Sequence, residues 1–329
     1  MLDCLFPLIP STCGIGRFWE TWVFAWSNNR KSIARFKDRY KLGKFLGLGK
    51  TDRFEDQYIL GKILGSGNSG ETYECWDRSK GEAWACKSIE KVRLFTQDQI
   101  QSVKLETQIM NSLSGHPNIV NLKEVYEDEN YVHLVMELCT GGDLYDLIQK
   151  YKLKRLPEFS TRLLFRQLLL VLMYCHDNGV IHRDLKPENI LLPTEGSCLP
   201  IKLADFGFAT YVQPKEKLHG VYGTSYYMAP EVLTGWGYDQ AADIWSAGVI
   251  LYILLSGKPP FWGDTESRTL HAIMAANLEF PSDPWDQVST SAKDLITKIL
   301  CPDPAKRLSA PQILNHSWMK SCVNINNTR

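Results

Sequence analysis

At 329 residues the chain has room for one domain of moderate size plus an extension, can bury a large core, and leaves no room for a second full domain. Lys plus Arg and Asp plus Glu both total 37, so the overall charge gives no ground for a nucleic-acid partner or a uniformly acidic one. Nine cysteines, an odd number with no Cys-x-x-Cys pair, argue against a disulfide framework or a zinc site and for a reducing compartment.

Residues 1–57 read as an N-terminal extension. The run Leu5-Phe6-Pro7-Leu8-Ile9-Pro10 is too short and too Pro-broken to span a membrane, and no basic segment precedes it as in a secretory signal. Leu2 argues against N-myristoylation, and an organellar transit peptide stays open. Phe18, Trp19, Trp22, Val23 and Trp26 recur at helical spacing ahead of a basic run from Arg30 to Lys44. Such a segment suits an acidic membrane surface or a calmodulin-like partner, but packing on the following domain, or a disordered tail, is the favoured expectation. Tyr40 to Gly49 is echoed by Tyr58 to Gly67, and only the second copy continues to a third glycine. A Walker A reading of Gly49-Lys50-Thr51 fails, because Lys44 stands where the first glycine is required.

From Tyr58 the pattern alternates as strands do, over Ile59 to Leu64, Thr72 to Trp76 and Ala83 to Ile89, which predicts a small antiparallel sheet. Leu64-Gly65-Ser66-Gly67-Asn68-Ser69-Gly70 falls in its first hairpin, where glycines let backbone N–H groups close over phosphates. Gly-x-Gly-x-x-Gly alone is a weak signal, but the element that follows is a strand, which counts against a dinucleotide fold. Lys87 stands among apolar residues on its strand and needs an anionic partner. Glu106, nineteen positions on, shares the stripe Ile100, Val103, Met110 and Leu113 of a helix predicted from about Gln97 to Leu113, and is explained if it is that partner.

The strand Val132 to Met136 leads into Glu137-Leu138-Cys139, after which helical periodicity takes over through Leu163 to Tyr174 and Ile244 to Leu255. The last run is apolar all round yet about a dozen residues long, which predicts a central buried helix and not a membrane span. Between these helices lies His182-Arg183-Asp184-Leu185-Lys186-Pro187-Glu188-Asn189, a base, a cation and a metal ligand in one turn between apolar segments. Asp205-Phe206-Gly207 follows sixteen residues after Asn189, again behind an apolar run.

Together these strings resemble the eukaryotic protein kinases of serine/threonine type over about residues 58–320, with 321–329 a tail. Within that family the sequence is similar to the calcium/calmodulin-dependent group, above all plant calcium-dependent kinases and phosphoenolpyruvate carboxylase kinases. Gly141-Gly142-Asp143-Leu144, Gly257-Lys258-Pro259-Pro260-Phe261-Trp262 and Ala292-Lys293-Asp294-Leu295 carry that likeness. The resemblance implies an α+β bilobal fold with an N-lobe over 58–136, a hinge at 137–139 and a mostly helical C-lobe over 140–320. It implies ATP and Mg²⁺ as cofactors and transfer of a phosphoryl group to protein hydroxyls. Asp184 would orient the acceptor hydroxyl and Lys186 would lie beside the transferring group. Asn189 and Asp205 would hold the metal, and Lys87, paired with Glu106, would orient the phosphates. ATP would lie among Leu64, Gly65, Ser66, Gly67, Asn68, Ser69, Gly70, Glu71, Thr72, Ala85, Met136, Glu137, Cys139 and Leu191. Ser69 and Thr72 depart from the family's aromatic and valine, which implies a looser lid and a more polar adenine pocket.

Asp243 would brace the catalytic loop, and Arg307 would pair with Glu231 of Ala229-Pro230-Glu231. Asp143, Asp146 and Glu188 stand where relatives bind a basic residue of the substrate, and Thr224 with Lys186 is the serine/threonine pairing. Gln213 to Gly223 holds no Ser or Thr, Gly220 occupies the usual phosphosite, and no Asp-rich loop ending in Glu suits calcium. The expectation is therefore a monomeric basophilic kinase without EF-hands or an autoinhibitory tail, active without loop phosphorylation, cytoplasmic with the nucleus also open. The rival reading is a pseudokinase scaffold that binds nucleotide without transfer.

Overall fold

The computed structural model describes residues 46–67, 70–94 and 96–320. The aromatic stripe and basic run before residue 46, the lid residues Asn68 and Ser69, and the tail 321–329 lie outside the described residues.

A short helix, α1 (Phe54–Gln57), leads directly into β1 (Tyr58–Gly67), β2 (Gly70–Asp77) and β3 (Ala83–Glu90). Next come helix α2 (Gln97–Ser112), β4 (Leu122–Glu127) and β5 (Tyr131–Met136). The five strands form one antiparallel sheet in the order β1-β2-β3-β5-β4, so β3, which carries Lys87, is central. Helix α2 starts in a capping box, with Thr96 Oγ1 accepting from Gln99 N–H at 3.2 Å and Gln99 Oε1 accepting from Thr96 N–H at 3.0 Å. Its buried stripe is Ile100, Val103, Glu106, Thr107, Ile109 and Met110. The expected carboxylate therefore does face inward.

The edge strand β4 does not end the sheet alone. Lys50 pairs in parallel with Tyr126, donating its N–H to Val125 C=O and accepting from Glu127 N–H, both at 2.8 Å. The buried Glu127 carboxylate accepts from the N–H groups of Leu46 and Leu48 and pairs with Lys91 at 2.7 Å. Phe54 stacks on His133 at 4.2 Å and on Tyr58 at 5.4 Å. Residues 46–57 thus pack on the N-lobe.

The C-lobe is helical: α3 (Leu144–Lys150), α4 (Glu158–Asp177), α5 (Pro230–Thr234), α6 (Ala241–Ser256), α7 (Glu266–Ala275), α8 (Ser282–Trp285), α9 (Thr290–Ile299), α10 (Ala310–Leu314) and α11 (Ser317–Lys320). Helix α6 is buried around nearly its whole circumference, packs on α4, and stops at Gly257. Among the described residues no helix is long and apolar enough to cross a membrane. Two small two-stranded sheets lie between α4 and α5 and shape the site: β6 (Val180–Ile181) with β9 (Thr210–Tyr211), and β7 (Ile190–Leu191) with β8 (Lys202–Leu203).

Candidate active site

The loop after β6 is shaped from behind by Asp243, which lies near the start of α6 and is almost fully buried. Its Oδ2 accepts from His182 N–H and from His176 Nε2, and its Oδ1 accepts from Arg183 N–H, all at 2.9 Å. Burial works against charge on Asp243, but the hydrogen bonds and positive character of His176 outweigh it and hold the carboxyl below its usual range. Arg183 is bent to φ 67° there. The buried His182 contacts Ala204 C=O at 3.1 Å through Nε2 and packs on Phe206 at 5.1 Å.

Asp184 follows, 4% exposed, and everything around it is polar and convergent. Its Oδ1 accepts from the Thr224 hydroxyl at 2.7 Å, while Lys186 Nζ lies 2.9 Å from Oδ2 and 3.1 Å from Thr224 Oγ1. Asn189 Nδ2 donates to Asp184 C=O at 2.8 Å and to Oδ2 at 3.2 Å. Gly223 makes the approach possible: at φ +108°, a Cβ there would sit 2.2 Å from Arg183 C=O. A carboxylate this close to a hydroxyl and an ammonium can take a hydroxyl proton while the cation steadies charge on the partner group.

On the opposite side of the cleft, Lys87 Nζ lies 2.7 Å from Glu106 and 3.0 Å from Asp205. Burial lowers an ammonium's pKa, but the two carboxylates more than offset it and raise that of Lys87. Burial pushes the Glu106 carboxyl up, opposed by Lys87. Burial thus disfavours charge on both partners and the nearby Asp205 adds to this on Glu106, while the short Lys87–Glu106 contact favours the ionised pair. Lys87 beside Asp205 holds that carboxyl down to about 2. Asp205, at φ 57°, keeps 43% of its side chain exposed.

Among the described residues no cluster of three or more His, Cys, Asp or Glu could hold a metal. Asp205, with one oxygen on Lys87 and one free, and Asn189, whose amide N–H is committed to Asp184, offer two oxygen donors. That donor set fits Mg²⁺, which takes its other ligands from water and phosphate.

Those residues expected around ATP that fall on strands are spread over five of them. Leu64, Gly65, Ser66 and Gly67 end β1, Gly70, Glu71 and Thr72 begin β2, Ala85 pairs with Met136 across β3 and β5, and Leu191 lies on β7. The segment after the hinge is tied to β7: Gly141 N–H donates to Leu192 C=O and Leu192 N–H to Gly142 C=O, both at 2.9 Å. The acid side chains of Glu71 and Glu137 are taken by Tyr73 and by Lys202. Burial, reinforced by Glu137, pushes the Cys139 thiol up to about 12, so it is a packing group at neutral pH.

Asp143 caps α3, its Oδ1 accepting from Asp146 N–H at 2.8 Å, and burial raises its carboxyl above the usual range. Asp146 is exposed, and Glu188 is exposed on the 3-10 turn Pro187–Asn189 that packs against α3. The three acids are therefore on adjoining elements. Arg307 grips Glu231 through Nη1 at 2.6 Å and Nη2 at 2.9 Å, deep in the C-lobe.

Sequence reasoning missed His176 as a third donor to Asp243, and Phe208 and Tyr238 as acceptors for the Arg183 side chain. A histidine at the end of a buried helix, facing the same lobe as an unexplained buried acid, was the one available signal for the first.

Residues 58–319 match the family model described as the protein kinase domain. Calcium-dependent protein kinase 14 of Arabidopsis thaliana is 47% identical over 291 residues, covering 88% of this chain and 51% of its own length. Calcium-dependent protein kinase 27 of Oryza sativa subsp. japonica is 46% identical over 291 residues, covering 88% of this chain and 44% of its own. The chain thus spans about half the length of the curated relatives it matches. With that match laid over the assembled cleft, the chain belongs to the protein kinase family.

Proposed function

We infer that the chain transfers the γ-phosphoryl group of Mg-ATP to serine or threonine hydroxyls of proteins, prefers basic sequences, and works without calcium and without a phosphate on its own activation segment. The observation that carries the reading is the joint contact of Lys87 with Glu106 and Asp205, at 2.7 and 3.0 Å, across a cleft whose other wall presents Asp184.

Lys87 orients the nucleotide phosphates so that the γ-phosphorus faces the acceptor oxygen. The new O–P bond forms as the bond to ADP breaks, and the hydroxyl proton passes to Asp184. Lys186 stands where charge develops on the transferred group. Asn189 and Asp205 would hold Mg²⁺, which neutralises phosphate charge when bound. The Thr224 hydroxyl, donating to Asp184 at 2.7 Å, marks a position from which a hydroxyl reaches that carboxylate.

Asp143, Asp146 and Glu188 support recognition of Arg or Lys three residues before the acceptor, since carboxylates grip guanidinium through charge-assisted bonds. Gly220 at the usual phosphosite supports independence from phosphorylation, and the chelator arm of the test below decides the calcium part of the reading.

The test is radiolabel transfer by the full chain after phosphatase treatment, with calcium or with chelator, on a peptide array. Transfer that is unchanged by both treatments and favours a basic residue three positions before the acceptor is expected. Asp184→Asn should abolish transfer while nucleotide binding survives. Asp143→Asn, which keeps the helix cap and removes the charge, should flatten the basic preference; an array with no preference in the unaltered chain sinks that part of the reading.

A further inference from the structure

Arg183 immediately precedes Asp184, so whatever holds its side chain also holds the catalytic loop. Its Nε donates to Phe208 C=O at 2.6 Å, its Nη1 to the Tyr238 hydroxyl at 3.3 Å, and its guanidinium lies 4.3 Å from the centroid of the Tyr222 ring. Each of these partners is neutral. The acid beside it, Asp243, is taken by the backbone N–H groups of His182 and Arg183 and by His176. A cation over a ring face is held by the ring's quadrupole, and Arg is the cation that stacks best.

The backbone on either side is shaped for this contact. Gly220, at φ +89°, leaves room for the ring, because a Cβ there would come within 2.8 Å of Tyr222 Cε2. Gly223, directly after Tyr222, lets the chain touch Arg183 C=O, and the next residue, Thr224, donates to Asp184. The same five residues therefore bind the arginine by a ring and the aspartate by a hydroxyl.

From these contacts we propose that Tyr222 is a positioning residue, an aromatic latch that sets the activation segment on the catalytic loop through Arg183. It rests on the reading that the enzyme works without a phosphate on that segment, and says what takes the phosphate's place. The glycine at position 220 is then a requirement of the ring and not merely a missing phosphosite. Tyr222 remains 40% exposed, so the contact is partly solvated and its effect falls in the middle of the range for such pairs.

The test measures kcat, KM for ATP and thermal midpoint of the full chain carrying Tyr222→Phe, Tyr222→Leu or Tyr222→Ala, each with and without phosphatase treatment. The Leu and Ala variants should lower kcat roughly tenfold, the size of a cation–π contact expressed in a barrier, with KM for ATP and thermal midpoint unmoved. The Phe variant, which keeps the ring, should stay within about twofold of the unaltered chain. In an Arg183→Gln background, Tyr222→Leu should cost nothing further. The proposal is overturned if Tyr222→Leu keeps full kcat, if Tyr222→Phe falls as far as Tyr222→Leu, or if the Tyr222 and Arg183 losses add. Loss of activity in the phosphatase-treated unaltered chain would instead refute the reading beneath it, and the untreated Tyr222 variants would still decide the latch.

Discussion

Among the described residues, the buried ion pairs of Lys87 with Glu106 in the N-lobe and of Arg307 with Glu231 in the C-lobe differ in what is left over. Arg307 engages all three nitrogens of its guanidinium on protein: Glu231 accepts from Nη1 and Nη2, Cys301 C=O from Nε at 3.0 Å, and Ala241 C=O from Nη1 at 2.7 Å. Lys87 instead serves two acids, and the second, Asp205, keeps much of its carboxylate open to the cleft. A closed pair can only hold structure together. A pair with an uncommitted oxygen has something to offer a ligand, and its charge balance is completed by what binds.

The sharpest way to break that contrast is Lys87→Met. We expect transfer to fall by about 100-fold or more, because misplaced phosphates lose their alignment. The fold should suffer little. Burial already pushes the Glu106 carboxyl up, so once Lys87 is gone Glu106 takes a proton instead of standing as a bare buried charge. Full activity in radiolabel transfer, or a large fall in thermal midpoint, would erase the distinction between the two pairs.

Glu231→Ala should do the reverse. It strands a buried guanidinium that cannot shed its proton, a loss of about 3–5 kcal/mol in denaturant unfolding. The fraction still folded should retain ordinary KM for ATP.

The smallest effect is one of pH. Asp205 is depressed from 3.8 to about 2, so its contribution to stability is complete above the ordinary carboxylate value and is lost only as pH falls through about 2. The difference in thermal midpoint between the unaltered chain and Asp205→Asn should therefore stay constant from neutral pH down to about 5 and shrink below about 4. A difference that already shrinks near neutrality would mean that Lys87 does not hold Asp205 as described.

What the sequence made legible was charge in the wrong company. Lys87 among strand apolars and Glu106 on a buried helical stripe announced each other, and His182 to Asn189 stood out between apolar runs. Two helices of the C-lobe were plain as well, α4 from its apolar period and α6 because it is apolar on every side. The latch residues gave no such signal: Phe208 and Tyr238 lie 25 and 55 positions from Arg183, and an aromatic in a glycine-rich loop has no period to read. Strand β4 was also hidden, because Leu122 to Glu127 carries two glutamates, and Glu127 is buried only because other parts of the chain come to meet it. A residue whose partner arrives from outside its own element looks, in one dimension, like an ordinary surface acid.

That meeting at Glu127 bears on how the protein should be handled. The family match begins at Tyr58, yet Leu46, Leu48 and Lys50 lie against β4 before that point. A fragment cut at Tyr58 would expose the backbone of an edge strand, an invitation to pair with another molecule, and would leave Lys91 as the remaining partner of a carboxylate that also serves two amides. Sample that clumps after trimming would then report a stripped margin of the sheet, and the remedy would be to restore a dozen residues, not to change the buffer.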